Sequence, residues 1–240
     1  MEFSEKACAM NSDELVRLVK QAGDAYSKGE LQLALHLYER AVLIDPTNHA
    51  YLRKGDSLKG AAKLEKAMLA YCKGLTVDRN NAQLLNALIQ CVYATPIRDK
   101  FCSLMNSLQA AHVGADAFVV VSAIGQELLA VGHNASAISM LNAALEIDTD
   151  CSQLRHSVVG ALSRAHYESG HFRKALDYLD IQLEIAEQLE DVNSQLLIHD
   201  NIAKIAFIED ELTLAVIHVK REIELKCKVF HYFFAISSSL

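Results

Sequence analysis

Small and bulky apolar residues recur along this chain at fixed distances. In four places a glycine, serine or alanine stands twelve residues before an alanine, and a bulky apolar residue follows that alanine four positions later. The small pairs are Gly55 and Ala67, Gly125 and Ala137, Ser163 and Ala175, and Ala203 and Ala215, and the bulky residues are Tyr71, Leu141, Leu179 and Val219. Small residues let two helix backbones approach closely, and bulky residues fill the gaps beside them. The pattern therefore predicts helical hairpins whose helices cross at the small residues.

The predicted hairpins repeat along the chain. Alanines at positions 34, 67, 137, 175 and 215 are separated by 33, 70, 38 and 40 residues, and the interval of 70 fits two units, so one degenerate unit is expected there. Short turns are predicted near Gly29, Gly132 and Gly170, and the polar segments IDPTN, VDRNN and EIDTD end three units. Long alternating runs of β-branched residues are missing, so an all-α fold is expected.

Five segments are expected along the chain. Residues 1–11 are predicted to be a flexible N-terminus, 12–80 two repeats, 81–114 a degenerate helical hairpin, 115–229 three further repeats, and 230–240 an irregular apolar tail. Thr95 and Pro96 interrupt the degenerate hairpin, since proline ends a helix. We expect the curvature to change there and to separate two surfaces, 12–80 and 115–229.

The sequence resembles the tetratricopeptide repeat family over nearly its whole length. The best examples are AGDAYSKGELQLALHLYERAVLIDP (22–46) and IGQELLAVGHNASAISMLNAALEID (124–148). The resemblance implies a right-handed α-solenoid of about six helical hairpins, a fold that binds proteins along a concave face. The last two units resemble the Leu-Gly-Asn type of repeat, which has a 40-residue period and longer helices.

One large scaffold member of the family resembles this chain more closely, at AFVVVSAIGQELLAVGHNASAISMLNAALEI. That resemblance implies a role in cell division, at the spindle midzone or midbody. The ending VFHYFFAISSSL does not continue the repeat, so the resemblance further implies a truncated or alternatively spliced form.

Composition argues against several classes of partner. The formal net charge of −7 disfavours nucleic acid, because phosphate binding needs a concentrated basic surface. The apolar run 117–121 is too short to cross a bilayer, so no membrane insertion is expected. Six cysteines lie scattered without close pairs, which is typical of reduced thiols in a cytosolic or nuclear protein, and a cytoplasmic location is expected.

Catalytic and cofactor motifs are missing from the sequence, including GxGxxG, the P-loop, HExxH and CxxC. His166 and His171 are five residues apart, off the i, i+4 spacing that aligns two metal ligands on one helix face. Cys8 is a candidate reactive thiol, but no cleft is predicted around it. We therefore expect a protein that is not an enzyme and that uses no metal or cofactor.

The resemblance places the first helix of each repeat along the concave groove, where extended peptides bind. The positions that it assigns to partner contacts are Lys20, Asp24, Arg53, Asp56, Gln126, Arg164, Tyr167, Asp200, Asn201 and Lys204. Polar groups at regular spacing suit hydrogen bonds to a protein or peptide partner, and Asn201 matches the asparagine with which the Leu-Gly-Asn type holds a ligand backbone. The alternative is that these residues are solvated or bond neighbouring repeats.

Two other functions stay open at this point. The first is a clamp for a C-terminal carboxylate, as in chaperone-tail binders. Lys20 and Arg53 match such a clamp, but Asp24 and Asp56 would repel the carboxylate. The second is self-association through the last hairpin, which lacks the polar capping helix of a solenoid and ends in an apolar tail.

Overall fold

The computed structural model of this chain is all-α in the part that it describes, which confirms the predicted fold class. It describes the backbone of residues 2–44, 48–110, 116–147 and 149–237, and the side chains of residues 14–44, 49–107, 116–147 and 149–230. The side chain of Cys8 and the predicted turn at Asp45-Pro46 lie outside these ranges.

Ten of the twelve helices in the described residues pair as hairpins. The helices are α1 (Glu2–Ser27), α2 (Leu31–Ile44), α3 (Asn48–Gly60), α4 (Leu64–Val77), α5 (Ala82–Val92), α6 (Arg98–Ala110), α7 (Ala117–Ala130), α8 (Asn134–Glu146), α9 (Ser152–Glu168), α10 (Phe172–Gln188), α11 (Val192–Ile208) and α12 (Leu212–Ser237). The packed pairs are α1 with α2, α3 with α4, α7 with α8, α9 with α10, and α11 with α12. The chain divides into two compact units, Met1–Asp148 and Thr149–Leu240.

Both ends of the chain are more helical than the sequence predicts. Helix α1 begins at Glu2, although residues 1–11 are predicted to be flexible, and α12 continues to Ser237, although an irregular tail is predicted from residue 230. Neither segment contains the proline or glycine that would stop a helix, and the apolar and charged residues of both are compatible with helix.

The predicted small-to-bulky contact is present in the α3–α4 and α7–α8 hairpins, whereas Val219 of the last hairpin is 43% exposed and does not fill the predicted gap. A Cβ atom at Gly55 would lie 2.2 Å from Cε1 of Tyr71, and one at Gly125 would lie 2.7 Å from the Leu141 side chain. Tyr71 and Leu141 are fully buried. The space that a larger first-helix residue would need is thus filled by the bulky residue of the second helix, as the twelve-residue and four-residue spacings predict.

Gly132 adopts a left-handed backbone conformation in the predicted turn between α7 and α8. Its φ is +83°, and a Cβ atom there would meet nothing within 4 Å. Gly29 and Gly170 share this left-handed backbone in their own hairpin turns, and Ala62 and Asp210 take it in the other two. Glycine is therefore favoured in these turns because it adopts a positive φ without steric cost.

The segment predicted as a degenerate hairpin does not pack as one. Helix α5 packs against α3 and α4 as the first helix of a repeat would, but α6 packs against α7, and α8 packs directly on α4. Cys72 Sγ of α4 lies 3.7 Å from Met140 Sδ of α8. Glu65 of α4 accepts hydrogen bonds from Ser136 Oγ and, over 2.8 Å, from His133 Nδ1 at the start of α8. Residues 93–97, which contain Pro96, separate α5 from α6. Helix α8, and not α6, packs on α4.

We expect Gly55→Ala to destabilise the protein by about 1 kcal/mol or more, because the overpacking against Tyr71 outweighs the gain in helix propensity. Gly23→Ala is the matched control, since the nearest heavy atom to a Cβ there is the Tyr38 hydroxyl at 3.9 Å. Urea unfolding followed by circular dichroism measures both. Equal midpoints for the two variants would contradict the assigned contact.

Candidate functional site

The second unit contains a cavity of about 680 Å³ that is lined by residues of α9, α10 and α11. Four of the residues predicted to contact a partner line it together: Arg164 and Tyr167 from α9, and Asn201 and Lys204 from α11. Arg164 and Lys204 are 40 residues apart, so they occupy equivalent positions in consecutive hairpins. The repeat itself therefore brings these groups to one wall.

Helical spacing aligns further residues with these four. On α9, His156 and Gly160 precede Arg164 by eight and four positions, and both line the cavity. On α11, Ser194 and Leu197 precede Asn201 by seven and four positions and line it as well. Residues at these spacings share one face of a helix. Counting back from Arg164 and Asn201 could have identified them from the sequence.

The start of α11 is held by an N-cap. The side chain of Asp191 accepts hydrogen bonds from Ser194 N at 3.1 Å and from Ser194 Oγ at 2.6 Å. These bonds lower the pKa of the Asp191 carboxyl below its ordinary value. Because the cap satisfies a free backbone N–H group of the first turn, it stabilises the helix end that carries Ser194 into the cavity wall.

Gly160 allows a side chain of α10 to reach this wall. A Cβ atom at Gly160 would lie 2.4 Å from Nε2 of Gln182, which also lines the cavity. The missing side chain thus lets the Gln182 amide lie against α9. Nothing in the spacing of the repeats marks Gln182, so the sequence analysis missed it.

The two cations of the cavity are neutralised within their own helices. Arg164 Nε lies 3.7 Å from Glu168 Oε1, and Lys204 Nζ lies 2.5 Å from Asp200 Oδ2. The hydrogen bond that Lys204 donates to Asp200 raises the pKa of the Lys204 ammonium. A ligand therefore meets balanced charge, with hydrogen-bonding groups on Asn201, Gln182 and the Tyr167 hydroxyl.

Part of the cavity wall is apolar. Leu179, Ile198 and Ile205 are buried there, whereas 61% of the Leu197 surface and 42% of the Tyr167 surface are exposed. The Tyr167 ring lies against the Phe172 ring, with the centroids 5.6 Å apart. The cavity thus combines an aliphatic surface with polar groups that fix orientation, as is typical of ligand sites.

Comparison with known proteins agrees with the hairpins. Residues 49–81, which span α3 and α4, match the family model of the tetratricopeptide repeat. Residues 49–81 therefore form a tetratricopeptide repeat. This confirms the resemblance on which the sequence analysis relied.

Two curated relatives extend the similarity to most of the chain. Tetratricopeptide repeat protein 28 of Mus musculus is 30% identical over 229 residues, which is 81% of this chain and 9% of that protein. The Homo sapiens protein of the same name is 29% identical over 228 residues, 80% of this chain and 9% of that protein. The chain thus spans about a tenth of the length of these relatives.

The crystal structure of MamA resembles the chain with 14% sequence identity and a TM-score of 0.39. The matched region covers 88% of this chain and 97% of the MamA chain. The score is under 0.5, so this likeness supports no argument about binding.

The other predicted contact residues do not join the cavity. Arg53 and Asp56 border a separate space of about 280 Å³ in the first unit, and Lys20 borders another of about 440 Å³ between α1 and α3. Asp24 is exposed on α1, and Gln126 is half-buried on α7. Asp200 serves as the partner of Lys204.

The tetratricopeptide repeat of residues 49–81 uses Asp56 to hold its two helices together. Asp56 Oδ1 accepts a hydrogen bond from the Tyr71 hydroxyl at 3.0 Å, and its other oxygen lies 3.9 Å from Arg53 Nη1. The same tyrosine fills the space beside Gly55. Because the Asp56 carboxylate lies beside the Arg53 guanidinium, it would repel a C-terminal carboxylate that approached Arg53.

The repeats of the second unit bury several histidines. Burial lowers the pKa of His156, His166, His199 and His218. Nδ1 of His199 on α11 lies 2.9 Å from Nδ1 of His218 on α12, so one ring donates and the other accepts. Protonating the acceptor would break this bond between the helices of the last hairpin.

The described residues hold no group of three or more His, Cys, Asp or Glu side chains arranged to bind a metal ion. Nor does any helix within the described ranges have the length and apolar character needed to cross a membrane.

We expect the second unit to lose stability as the pH falls from about 7 to about 5. The unfolded histidines bind protons near pH 6.5, whereas the folded ones resist protonation, so the stabilisation is complete above about pH 6.5 and is lost below it. Glu187 and Glu222 oppose the shift at His199 and Arg221 adds to it, while Asp180 opposes the shift at His218. Thermal unfolding measured across this range tests the expectation.

Replacing His199 and His218 together by leucine should reduce this pH dependence. The matched control is His36→Gln, which changes an exposed histidine of the first unit. The assignment is contradicted when the double variant and the control show the same change of melting temperature with pH.

Proposed function

We propose that this chain is a non-catalytic scaffold that binds an extended peptide segment of a partner protein in the cavity between α9 and α11. The tetratricopeptide-repeat fold serves in general as a protein–protein interaction scaffold. The observation that carries the proposal is the convergence of Arg164, Tyr167, Asn201 and Lys204 on one cavity of about 680 Å³. Residues from two successive repeats offer polar groups at regular intervals, which suits a chain that runs across them.

The balance of charge in the cavity indicates the chemistry of the peptide. Glu168 and Asp200 neutralise Arg164 and Lys204, so neither a strongly acidic nor a strongly basic segment gains a net attraction. Asn201 and Gln182 each offer an amide donor and acceptor, which match the N–H and C=O groups of a peptide backbone. Leu197 adds an exposed aliphatic contact. We infer a peptide that is uncharged at its centre and carries an apolar side chain.

Reversing both cations should abolish capture of the partner. In Arg164→Glu with Lys204→Glu, each new carboxylate stands beside Glu168 or Asp200, so a bound peptide would cover unpaired negative charges. Removing these charges from water costs free energy even when the peptide itself is uncharged. Affinity capture from a lysate of dividing cells compares this double variant with the wild type. The matched control is Arg155→Glu with Lys174→Glu, which reverses two exposed cations of α9 and α10 outside the cavity. Partners retained by the cavity variant would refute the proposed site.

Asn201→Ala tests the hydrogen bonds without changing charge. We expect it to weaken binding of the captured partner's peptide about tenfold, which corresponds to about 1.4 kcal/mol. Fluorescence anisotropy with the labelled peptide measures the affinity. Asn193→Ala, at an exposed position in the first turn of α11, is the control. An unchanged affinity for Asn201→Ala would remove this amide from the site.

We further propose that the partner belongs to the dividing cell, in the cytoplasm and at the spindle midzone or midbody. The support is the resemblance of residues 117–147 to a scaffold of cell division. Capture from mitotic and interphase lysates tests this, because partners found equally in both would count against a role confined to division.

Self-association is a second candidate function. It is favoured by the exposed aliphatic side chains of α12, where Val216 is 67% exposed and Ile223 is 55% exposed.

A further inference from the structure

The outer face of α12 carries a regular stripe of exposed side chains. Its members are Leu212, Val216, Val219, Ile223, Lys226 and Phe230, which follow one another at spacings of four, three, four, three and four residues. The apolar members are between 43% and 67% exposed. This alternation is the heptad spacing by which one helix packs along another.

The last two hairpins are in register with a shift of 40 residues. In the turn between α9 and α10, Gly170 N donates to Tyr167 O and His171 N donates to His166 O. In the turn between α11 and α12, Asp210 N donates to Phe207 O and Glu211 N donates to Ala206 O. Gly170 and Asp210 both have a positive φ. Residues of α10 and α12 can therefore be compared one by one.

This comparison shows what kind of surface covers such a stripe. Val216 and Val219 correspond to Leu176 and Leu179, which are only 7% and 2% exposed in α10. The two leucines belong to one apolar cluster with Ile198, Ile202 and Ile205 of α11. The face of α12 thus has the character of an interface between two repeats, and it fits a helix with aliphatic residues at intervals of four and three.

Helix α1 of a second copy does not provide such a face. The turn after α1 matches the turn after α11, because Lys28 N donates to Asp24 O in the first and Glu209 N donates to Ile205 O in the second. A shift of 181 residues places Arg17, Gln21 and Asp24 at the positions of Ile198, Ile202 and Ile205. All three are exposed and polar, so stacking α1 on α12 would bury unpaired charges. Head-to-tail stacking of copies is therefore disfavoured.

We propose that two copies of this chain pair through their α12 helices in an antiparallel, two-fold symmetric contact. The inference rests on the second candidate under the proposed function and specifies its geometry. Aligning Val219 with the partner copy's Ile223 also aligns Leu212 with Phe230, and Val216 with the aliphatic stem of Lys226. Both copies then use the same stripe, so the contact is two-fold symmetric and forms a dimer without further copies.

A single pair of helices buries less than the roughly 800 Å² per partner of a standard stable interface. We therefore expect a dissociation constant in the micromolar range, and sedimentation must cover about 1 to 100 µM. The monomer mass is 26.5 kDa, so a dimer is well separated from it.

Sedimentation equilibrium of the full chain tests the proposal. The wild type should pass from monomer to dimer across this range, and Val216→Glu with Ile223→Glu should stay monomeric. Leu43→Glu is the control, since Leu43 of α2 is 84% exposed and lies outside the stripe. A wild type that is monomeric throughout, or a double variant that dimerises as the wild type does, overturns the proposal. Circular dichroism verifies that the helices are retained.

A mixing experiment tests the antiparallel register. Val219→Glu and Ile223→Lys should each dimerise at least tenfold more weakly than the wild type. An equimolar mixture should restore the dimer, because the new glutamate of one copy faces the new lysine of the other. A mixture as weak as either variant alone overturns this register.

The outcome is separable from that of the peptide site. The variant with Arg164→Glu and Lys204→Glu should dimerise normally, while the α12 variants should still capture the peptide partner. Loss of dimerisation in the cavity variant would contradict the assignment of the contact to α12.

Discussion

The close contact between the two helices of a hairpin is the constraint on which the rest of this structure depends. At Gly55 and Gly125 there is no room for a side chain, because Tyr71 and Leu141 occupy it. These two hairpins are therefore each held at one crossing, and the rotation of both helices about their axes is set. That rotation decides which residues pack on the next repeat and which line a groove.

The cavity of the second unit follows from this constraint. Since Arg164 and Lys204 are equivalent positions in successive hairpins, a shared helix rotation brings both to the same wall. Their charges are balanced by Glu168 and Asp200, which leaves the neutral amides of Asn201 and Gln182 to provide directional bonds. Such a surface suits recognition of a peptide backbone more than recognition of charge.

The same repetition explains the different character of helices α1 and α12. Helix α11 presents the aliphatic residues Ile198 and Ile202 to the preceding hairpin. Helix α1 has Arg17 and Gln21 at the matching positions, whereas α12 leaves Val216 and Val219 exposed. This face of α1 is thus compatible with water, and that of α12 has the apolar surface of an interface between hairpins.

The sequence by itself determined the helices, their pairing at small and bulky residues, and four members of the cavity, because a helix turns every 3.6 residues and spacing alone tells which residues share its face. Only the tertiary structure decided that α8 packs on α4, that Asp56 bonds Tyr71, and that Gln182 reaches the wall beside Gly160. Glu65 and His133 are 68 residues apart, and no local period relates them. Contacts of this kind depend on which helix faces compete for the same neighbour, and that competition is settled only when the whole unit packs.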